Sequence, residues 1–141
     1  MIQKAIINAY KKLKERNWDT IYWAIDLHDT CLKANYDNTN SEFINNDAKE
    51  CLEYISSLPE SKIIWWTSTN SNVIDDIDKW FTSMNINSAS INCNPFVENT
   101  QTGCFDEKFY FSILLDDKAG FDPETDWKIV LQTLKNIKNE I

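Results

Sequence analysis

Two acidic groups in the sequence have the residue types and surroundings expected of a metal site. Asp26 directly follows the apolar run 21–25, and the adjacent carboxylates of Asp116 and Asp117 follow the apolar run 109–115. A carboxylate at the end of a buried strand is costly to leave unpaired, and adjacent carboxylates repel each other. A hard divalent cation such as Mg²⁺ relieves both costs, because it binds oxygen ligands. The sequence therefore predicts a Mg²⁺ site if these two segments are neighbours in the fold.

A second group of residues is suited to holding an anion. Thr67 ends the apolar run 62–66 shortly before a helical pattern that begins near Ser71. The start of a helix offers free N–H groups and the positive end of its dipole, and the Thr67 hydroxyl adds a donor. Lys108 supplies a positive charge just ahead of the last apolar run. These groups together would hold a phosphoryl group, with Ser68 as the alternative to Thr67 if the strand register shifts by one residue.

The elements that must position these residues follow from the apolar periodicity. We predict helices over 2–16, from Asp47 to Pro59, from Ser71 to Met84 and from Pro123 to Ile141, strands over 21–25, 62–66, 87–93 and 109–115, and irregular segments over 32–46 and 94–107. Asp47, Ser71 and Asp122 are the predicted N-caps. The alternating order predicts an α/β fold: a three-layer, Rossmann-like, mainly parallel sheet of about four strands flanked by helices. Ligands bind beyond the carboxyl ends of such strands, where Asp26 and Thr67 lie.

The composition restricts the classes of function. Acidic residues outnumber basic ones by 22 to 14, giving a net charge of −8 that disfavours nucleic acid and anionic membranes as partners. With two glycines in the chain, a Gly-rich phosphate loop is excluded. No leader pattern follows Met1, and every apolar run is far shorter than the ~20 residues of a membrane helix. The four cysteines form no C-x-x-C pair, so we expect reduced thiols in a cytoplasmic, single-domain protein spanning 1–141.

Four motifs occur in a recognisable order over residues 21–120. They read IYWAI-DLHDT, KIIWW-T, Lys108 and FSILL-DD. This order resembles the haloacid dehalogenase (HAD) superfamily. Its first motif is an apolar strand followed by D-x-D-x-T, its second is a strand ending in Thr or Ser, its third is a Lys, and its fourth is a strand ending in an acidic pair.

The resemblance implies a Mg²⁺-dependent phosphohydrolase. Asp26 would be the nucleophile that becomes an aspartyl phosphate, and it would also bind the metal together with the backbone carbonyl of residue 28. Thr67 and Lys108 would bind the phosphate, and one member of the acidic pair 116–117 would complete the metal shell. The chain has no room for the cap domains of larger relatives. An open site of this kind suits a small phosphorylated molecule or a phosphorylated macromolecule.

One position departs from the family pattern. The second Asp of the first motif, the usual acid and base, is replaced by His28, the single histidine of the chain. One interpretation keeps the activity, because an imidazole can donate and accept a proton near neutral pH, with Asp29 beside it to orient the ring. The other interpretation is a catalytically weak or inactive binding or regulatory protein. Of the acidic pair we favour Asp117 as the direct ligand, and we interpret Thr30 as a local turn stabiliser.

Overall fold

The structure, a computed structural model, describes residues 1–34 and 41–139. Its helices are α1 (Ile2–Glu15), α2 (Asn46–Ser57), α3 (Ser71–Thr82) and α4 (Asp126–Asn139), and its strands are β1 (Ile21–Asp26), β2 (Ser61–Trp66), β3 (Ser88–Ile91) and β4 (Ile113–Leu115). A short 3₁₀-helix, Asp117–Ala119, follows β4. Residues 35–40 of the predicted irregular segment and Ile141 of the predicted last helix lie outside the described residues. Within the described ranges, no helix is both long and apolar enough to span a bilayer.

The four strands form one parallel sheet in the order β3-β2-β1-β4. In this register Asp26 pairs with Trp66 of β2, and Ile25 pairs with Leu115 of β4. The sheet is flanked by the four helices in a three-layer, Rossmann-like α/β arrangement, which confirms the predicted fold class. Because β1 and β4 are direct neighbours, the two acidic segments that follow them leave the sheet side by side.

Alternate residues of the two central strands build the main core. The side chains on this face of β1 and β2 are almost fully buried: Ile21, Trp23, Ile25, Ile63 and Trp65. Trp65 stacks on Phe81 of α3 with ring centroids 4.5 Å apart, and the buried Trp127 of α4 joins the same cluster. Burial of one large apolar side chain is worth about 1.5–3 kcal/mol, so this face fixes the strand register.

The connection between β3 and β4 covers the opposite face of the sheet. Phe96 stacks on Tyr22 at 6.5 Å and lies 4.4 Å from the ammonium of Lys62, while Phe109 contacts Trp66 at 5.5 Å. A parallel strand can be reached only by such a crossover. The predicted strand over 109–115 is therefore shortened to Ile113–Leu115, because its first residues belong to the crossover.

The start of α2 differs from the prediction. Asn45, rather than Asp47, is the N-cap, and its side-chain oxygen accepts a hydrogen bond from the backbone N–H of Ala48 at 2.9 Å. Asn caps helices as well as Asp does, so the sequence does not decide between the two positions. The Asn45 amide also donates to the carbonyl of Pro123 at 2.8 Å, a contact between distant segments that favours this cap.

Two other helix starts were also misplaced. Asn70 is the N-cap of α3, and Ser71 is the first helical residue. α4 begins at Asp126 instead of Pro123. The Asp122 backbone N–H donates to the side chain of Asp126 at 2.8 Å, which keeps the residues between them in a turn.

Candidate functional site

Three carboxylates converge at the carboxyl end of the sheet. Asp26, Asp116 and Asp117 each place an oxygen within 4.8 Å of the other two, and all three residues are partly buried. The parallel pairing of β1 with β4 produces this convergence, because Asp26 ends one strand and the acidic pair directly follows the other. The structure therefore brings together the carboxylates that the sequence proposed as one metal site.

Thr30 connects the two halves of the acidic cluster. Its buried hydroxyl lies 2.8 Å from Asp26 Oδ2 and 3.1 Å from Asp117 Oδ1, and it accepts a hydrogen bond from the Asp117 backbone N–H at 3.0 Å. The single hydroxyl proton can serve one carboxylate at a time. Trp127 Nε1 donates to the Thr30 carbonyl at 2.8 Å, so the core holds this residue in place. Thr30 was predicted to stabilise a local turn, but in the structure its hydroxyl also connects two carboxylates of the site.

The pKa of Asp26 is raised to about 6 from its ordinary value of 3.8. Burial is the main cause, and the nearby carboxylates of Asp117 and Asp116 add to it, whereas the hydrogen bond from Thr30 opposes it. The surroundings of Asp26 thus disfavour the ionised form of its carboxyl group. This donor set fits Mg²⁺, because it offers three hard carboxylate oxygens that lie close together.

This raised pKa predicts how the stability of the metal-free protein depends on pH. Because the folded state binds the Asp26 proton more tightly than the unfolded state, the free energy of unfolding falls as pH rises from about 4 to about 6. We expect this carboxyl to contribute a loss of ~1–2 kcal/mol, less than the full shift implies, because Asp26 is partly exposed to screening solvent. Urea unfolding in EDTA across this range measures it.

The appropriate comparison for that series is Asp26→Asn, which removes the titrating group and keeps the shape. The difference in unfolding free energy between wild type and variant isolates the Asp26 contribution from those of other carboxyl groups. The difference should grow between about pH 4 and pH 6 and stay constant above that range. Parallel pH profiles for the two proteins would contradict the raised pKa.

The loop after β2 presents a row of hydroxyl groups to the same rim. Asn92 fixes the backbone of Thr67 on both sides: its Oδ1 accepts from the Thr67 N–H at 2.8 Å, and its Nδ2 donates to the Thr67 carbonyl at 2.7 Å. The Thr67 hydroxyl accepts from the Thr69 N–H at 3.1 Å, and the Thr69 hydroxyl lies 3.5 Å from His28 Nδ1. This row links the end of β2 to the loop after β1.

These groups line a single pocket of about 550 Å³. Its lining consists of Asp26, His28, Asp29, Trp66, Thr67, Ser68, Thr69, Asn70, Val73, Asp116, Asp117 and Lys118. Five of the six predicted site residues are among them, and the start of α3 contributes its N-cap. Lys108 is the predicted site residue that the structure does not bring to this pocket.

Lys118, rather than the predicted Lys108, lines this pocket. Lys108 belongs to the crossover, where its ammonium lies 6.0 Å from the ring of Phe111. The backbone N–H of Lys118 instead donates to Asp116 Oδ1 at 2.9 Å, in the short helix directly after β4. Gly120 ends this turn with φ of 97°, a left-handed conformation that glycine adopts without steric cost. The tight turn thus fixes the backbone of Lys118 beside the acidic pair.

Comparison with known proteins supports the fold. A solved structure of a conserved protein from Bacteroides thetaiotaomicron superposes with a TM-score of 0.63 at 19% sequence identity, covering 83% of this chain and 91% of that chain. Similarity at this identity establishes a shared fold alone. No protein-family model matches the sequence, and the search of curated proteins also gives no match.

Proposed function

We propose that this chain is a Mg²⁺-dependent phosphohydrolase of the HAD type, acting on a phosphate monoester through an aspartyl phosphate. The observation that supports this most is the meeting of the Asp26, Asp116 and Asp117 carboxylates with Thr67 in one pocket. Bound Mg²⁺ would neutralise charge on the phosphoryl oxygens. Phosphate release from an aryl phosphate, dependent on Mg²⁺ and stopped by EDTA, tests the proposal.

The chemistry of the chain's own residues follows from their positions. The Asp26 carboxylate attacks the phosphorus, an Asp26 oxygen–phosphorus bond forms, and the bond from phosphorus to the ester oxygen breaks. His28 gives a proton to the departing alcohol and later takes one from the water that hydrolyses the aspartyl phosphate. The net reaction converts the ester and water to an alcohol and inorganic phosphate, and Asp26 and His28 return to their starting states.

Thr67, the start of α3 and Lys118 hold the phosphoryl group in this proposal. The Asn92 clamp fixes the Thr67 backbone at the rim, and the first N–H groups of α3 present the positive end of the helix dipole. Lys118 takes the role that the motif resemblance gave to Lys108, because Lys118 lines the pocket. A phosphate monoester dianion would offset part of the positive charge of these groups and of the metal.

The two lysines provide a matched pair of variants. We expect Lys118→Ala to lower kcat/KM for an aryl phosphate by about 10–100-fold, the effect of removing one hydrogen bond to a charged group. Lys108→Ala should change it less than about three-fold, because that side chain lies on the crossover. Steady-state kinetics with saturating Mg²⁺ measures both. The opposite ranking would restore Lys108 as the phosphate-binding residue.

A second candidate is a non-catalytic binding or regulatory protein on the same scaffold, favoured by His28 at the usual acid and base position. The pocket would then bind a phosphorylated ligand without turnover. His28→Asp separates the two candidates: it lowers kcat if the imidazole acts as acid and base, and raises a trace activity if His28 is a poor substitute. A wild type and an Asp26→Asn variant that are both folded and equally inert would favour the binding protein.

The net charge and the cysteines restrict the partners and the cellular location of the protein. The charge of −8 argues against nucleic acid, which leaves a small phosphorylated molecule or a phosphorylated macromolecule as the substrate. Cys31 and Cys51 are buried free thiols, and Cys93 and Cys104 are exposed free thiols. Free thiols of this kind fit a reducing compartment, which supports a cytoplasmic location.

A further inference from the structure

One wall of the pocket carries an exposed aromatic ring that the proposed chemistry does not use. Trp66 is the last residue of β2 and remains 44% exposed, whereas the preceding Trp65 is fully buried. Phe109 contacts the Trp66 ring at 5.5 Å with an angle of 61° between the rings. A large apolar ring in the wall of a polar pocket offers a surface on which another apolar group can pack.

The position of Trp66 relative to the nucleophile follows from the strand register. Asp26 and Trp66 are direct partners in the parallel ladder between β1 and β2. Directly paired residues in neighbouring strands point to the same face of the sheet, and neighbouring strands lie about 5 Å apart. An ester whose phosphorus contacts the Asp26 carboxylate would therefore lie beside the Trp66 ring, which lines the same pocket.

The charges around the pocket restrict that alcohol further. Among the described lining residues, four aspartates, namely Asp26, Asp29, Asp116 and Asp117, face one lysine, Lys118. A bound divalent cation and the phosphoryl group would nearly cancel each other's charge, so the remaining acidic surface repels any additional anionic group on the substrate. The pocket thus combines an aromatic wall with a lining that excludes negative charge.

We propose that Trp66 determines substrate specificity by stacking on an aromatic ring in the alcohol portion of the substrate. The substrate class is a phosphate monoester whose alcohol carries one planar ring and no further negative charge. This inference rests on the proposed phosphohydrolase function for the direction in which the alcohol points. Stacking of two aromatic rings favours binding by about 2–10-fold beyond the contact area that an aliphatic ring also provides.

The experiment compares two phosphonates that differ only in the ring. Phenylpropyl phosphonate and cyclohexylpropyl phosphonate have a carbon–phosphorus bond in place of the ester bond, so they bind without being hydrolysed. Calorimetric titration in the presence of Mg²⁺ should give wild type a preference of about five-fold for the phenyl compound. Trp66→Leu should reduce that preference to about one, because leucine keeps an apolar contact and removes the ring. A carboxyphenylpropyl phosphonate should bind wild type more weakly than the phenyl compound.

A matched control is available at the other end of the sheet. Trp18 precedes β1, is 42% exposed and lines a different pocket, so Trp18→Leu should leave the five-fold preference unchanged. Equal binding of the phenyl and cyclohexyl compounds by wild type, or a preference that survives Trp66→Leu, overturns the role of Trp66. Selective binding without hydrolysis of phenylethyl phosphate overturns the phosphohydrolase function and leaves the Trp66 inference standing. Failure of every phosphonate to bind overturns both.

Discussion

Asp26→Asn is expected to lower Mg²⁺-dependent hydrolysis of an aryl phosphate by about 10³-fold or more, the scale of losing a nucleophile. The asparagine amide is a poor nucleophile, and it lacks the charge that a divalent cation requires of its ligand. Its size is nearly that of aspartate, so the fold around Thr30 and β1 is retained. Phosphate release at saturating substrate measures the loss.

The same variant should be more stable than wild type when no metal is present. The pKa of Asp26 is raised to about 6, so above that pH its charge destabilises the folded state. We expect Asp26→Asn to raise the free energy of unfolding in EDTA by ~1–2 kcal/mol near pH 7.5, after allowing for solvent screening. A gain in stability combined with a loss of activity excludes misfolding as the reason for inactivity.

Asp75→Asn is the control for this pair of measurements. Asp75 is exposed on α3 and does not line the pocket, so its replacement removes one negative charge without changing a lining residue. Its activity and stability should match those of wild type within about two-fold and ~0.5 kcal/mol. Wild-type activity in Asp26→Asn would eliminate the aspartyl-phosphate mechanism.

Thr30→Val is expected to have the largest effect on stability, lowering the free energy of unfolding by ~2–4 kcal/mol. Valine has nearly the same shape, but it removes the buried hydroxyl that lies between Asp26 and Asp117 and accepts from the Asp117 N–H. The two carboxylates then lose their shared donor, and the Asp117 N–H loses its acceptor. Mg²⁺ affinity should also fall, because the cluster loses the group that orients both ligands. Urea unfolding and metal titration measure the two effects.

Two variants separate the contribution of the Thr30 hydroxyl to stability from the contribution of side-chain packing. Thr30→Ser keeps the donor and removes one methyl group, so it should cost about 1 kcal/mol. Thr133→Val removes a buried hydroxyl that donates to the carbonyl of Ile129 within α4 and forms no hydrogen bond to a carboxylate of the described residues. We expect its cost to be below ~1 kcal/mol. Equal costs for Thr30→Val and Thr133→Val would mean that the bridge between the carboxylates contributes nothing.

The fold and the acidic cluster could be predicted from the sequence for a physical reason. The runs 21–25 and 62–66 are short and apolar, which is typical of parallel strands buried on both faces. Parallel strands place their carboxyl ends at one rim, so a residue that ends such a run is placed by topology rather than by local propensity. Asp26 and Thr67 were predictable on this ground, and the acidic pair followed once β4 was taken as a neighbour of β1.

The residues that sequence reasoning missed depend on contacts between distant segments. Asn92 clamps Thr67 across 25 positions of the chain, and no local pattern marks it apart from the tolerance of asparagine for its left-handed φ of 55°. Lys118 follows β4 at the carboxyl end of the sheet, whereas Lys108 lies in the crossover before β4, and the sequence alone did not show where that crossover ends. The bridging role of Thr30 could have been suspected from the last position of the D-x-H-x-T pattern, but its partner Asp117 lies 87 residues away.

A calorimetric titration with Mg²⁺ tests the central claim, that three carboxylates from two neighbouring strands form one cation site. Wild type should bind a single ion, and both Asp26→Asn and Asp117→Asn should weaken that binding by at least about ten-fold, since each removes a charged ligand. Asp75→Asn should bind as wild type does. Equal Mg²⁺ affinity in all four proteins would contradict the account, because the cation would then bind elsewhere or not at all.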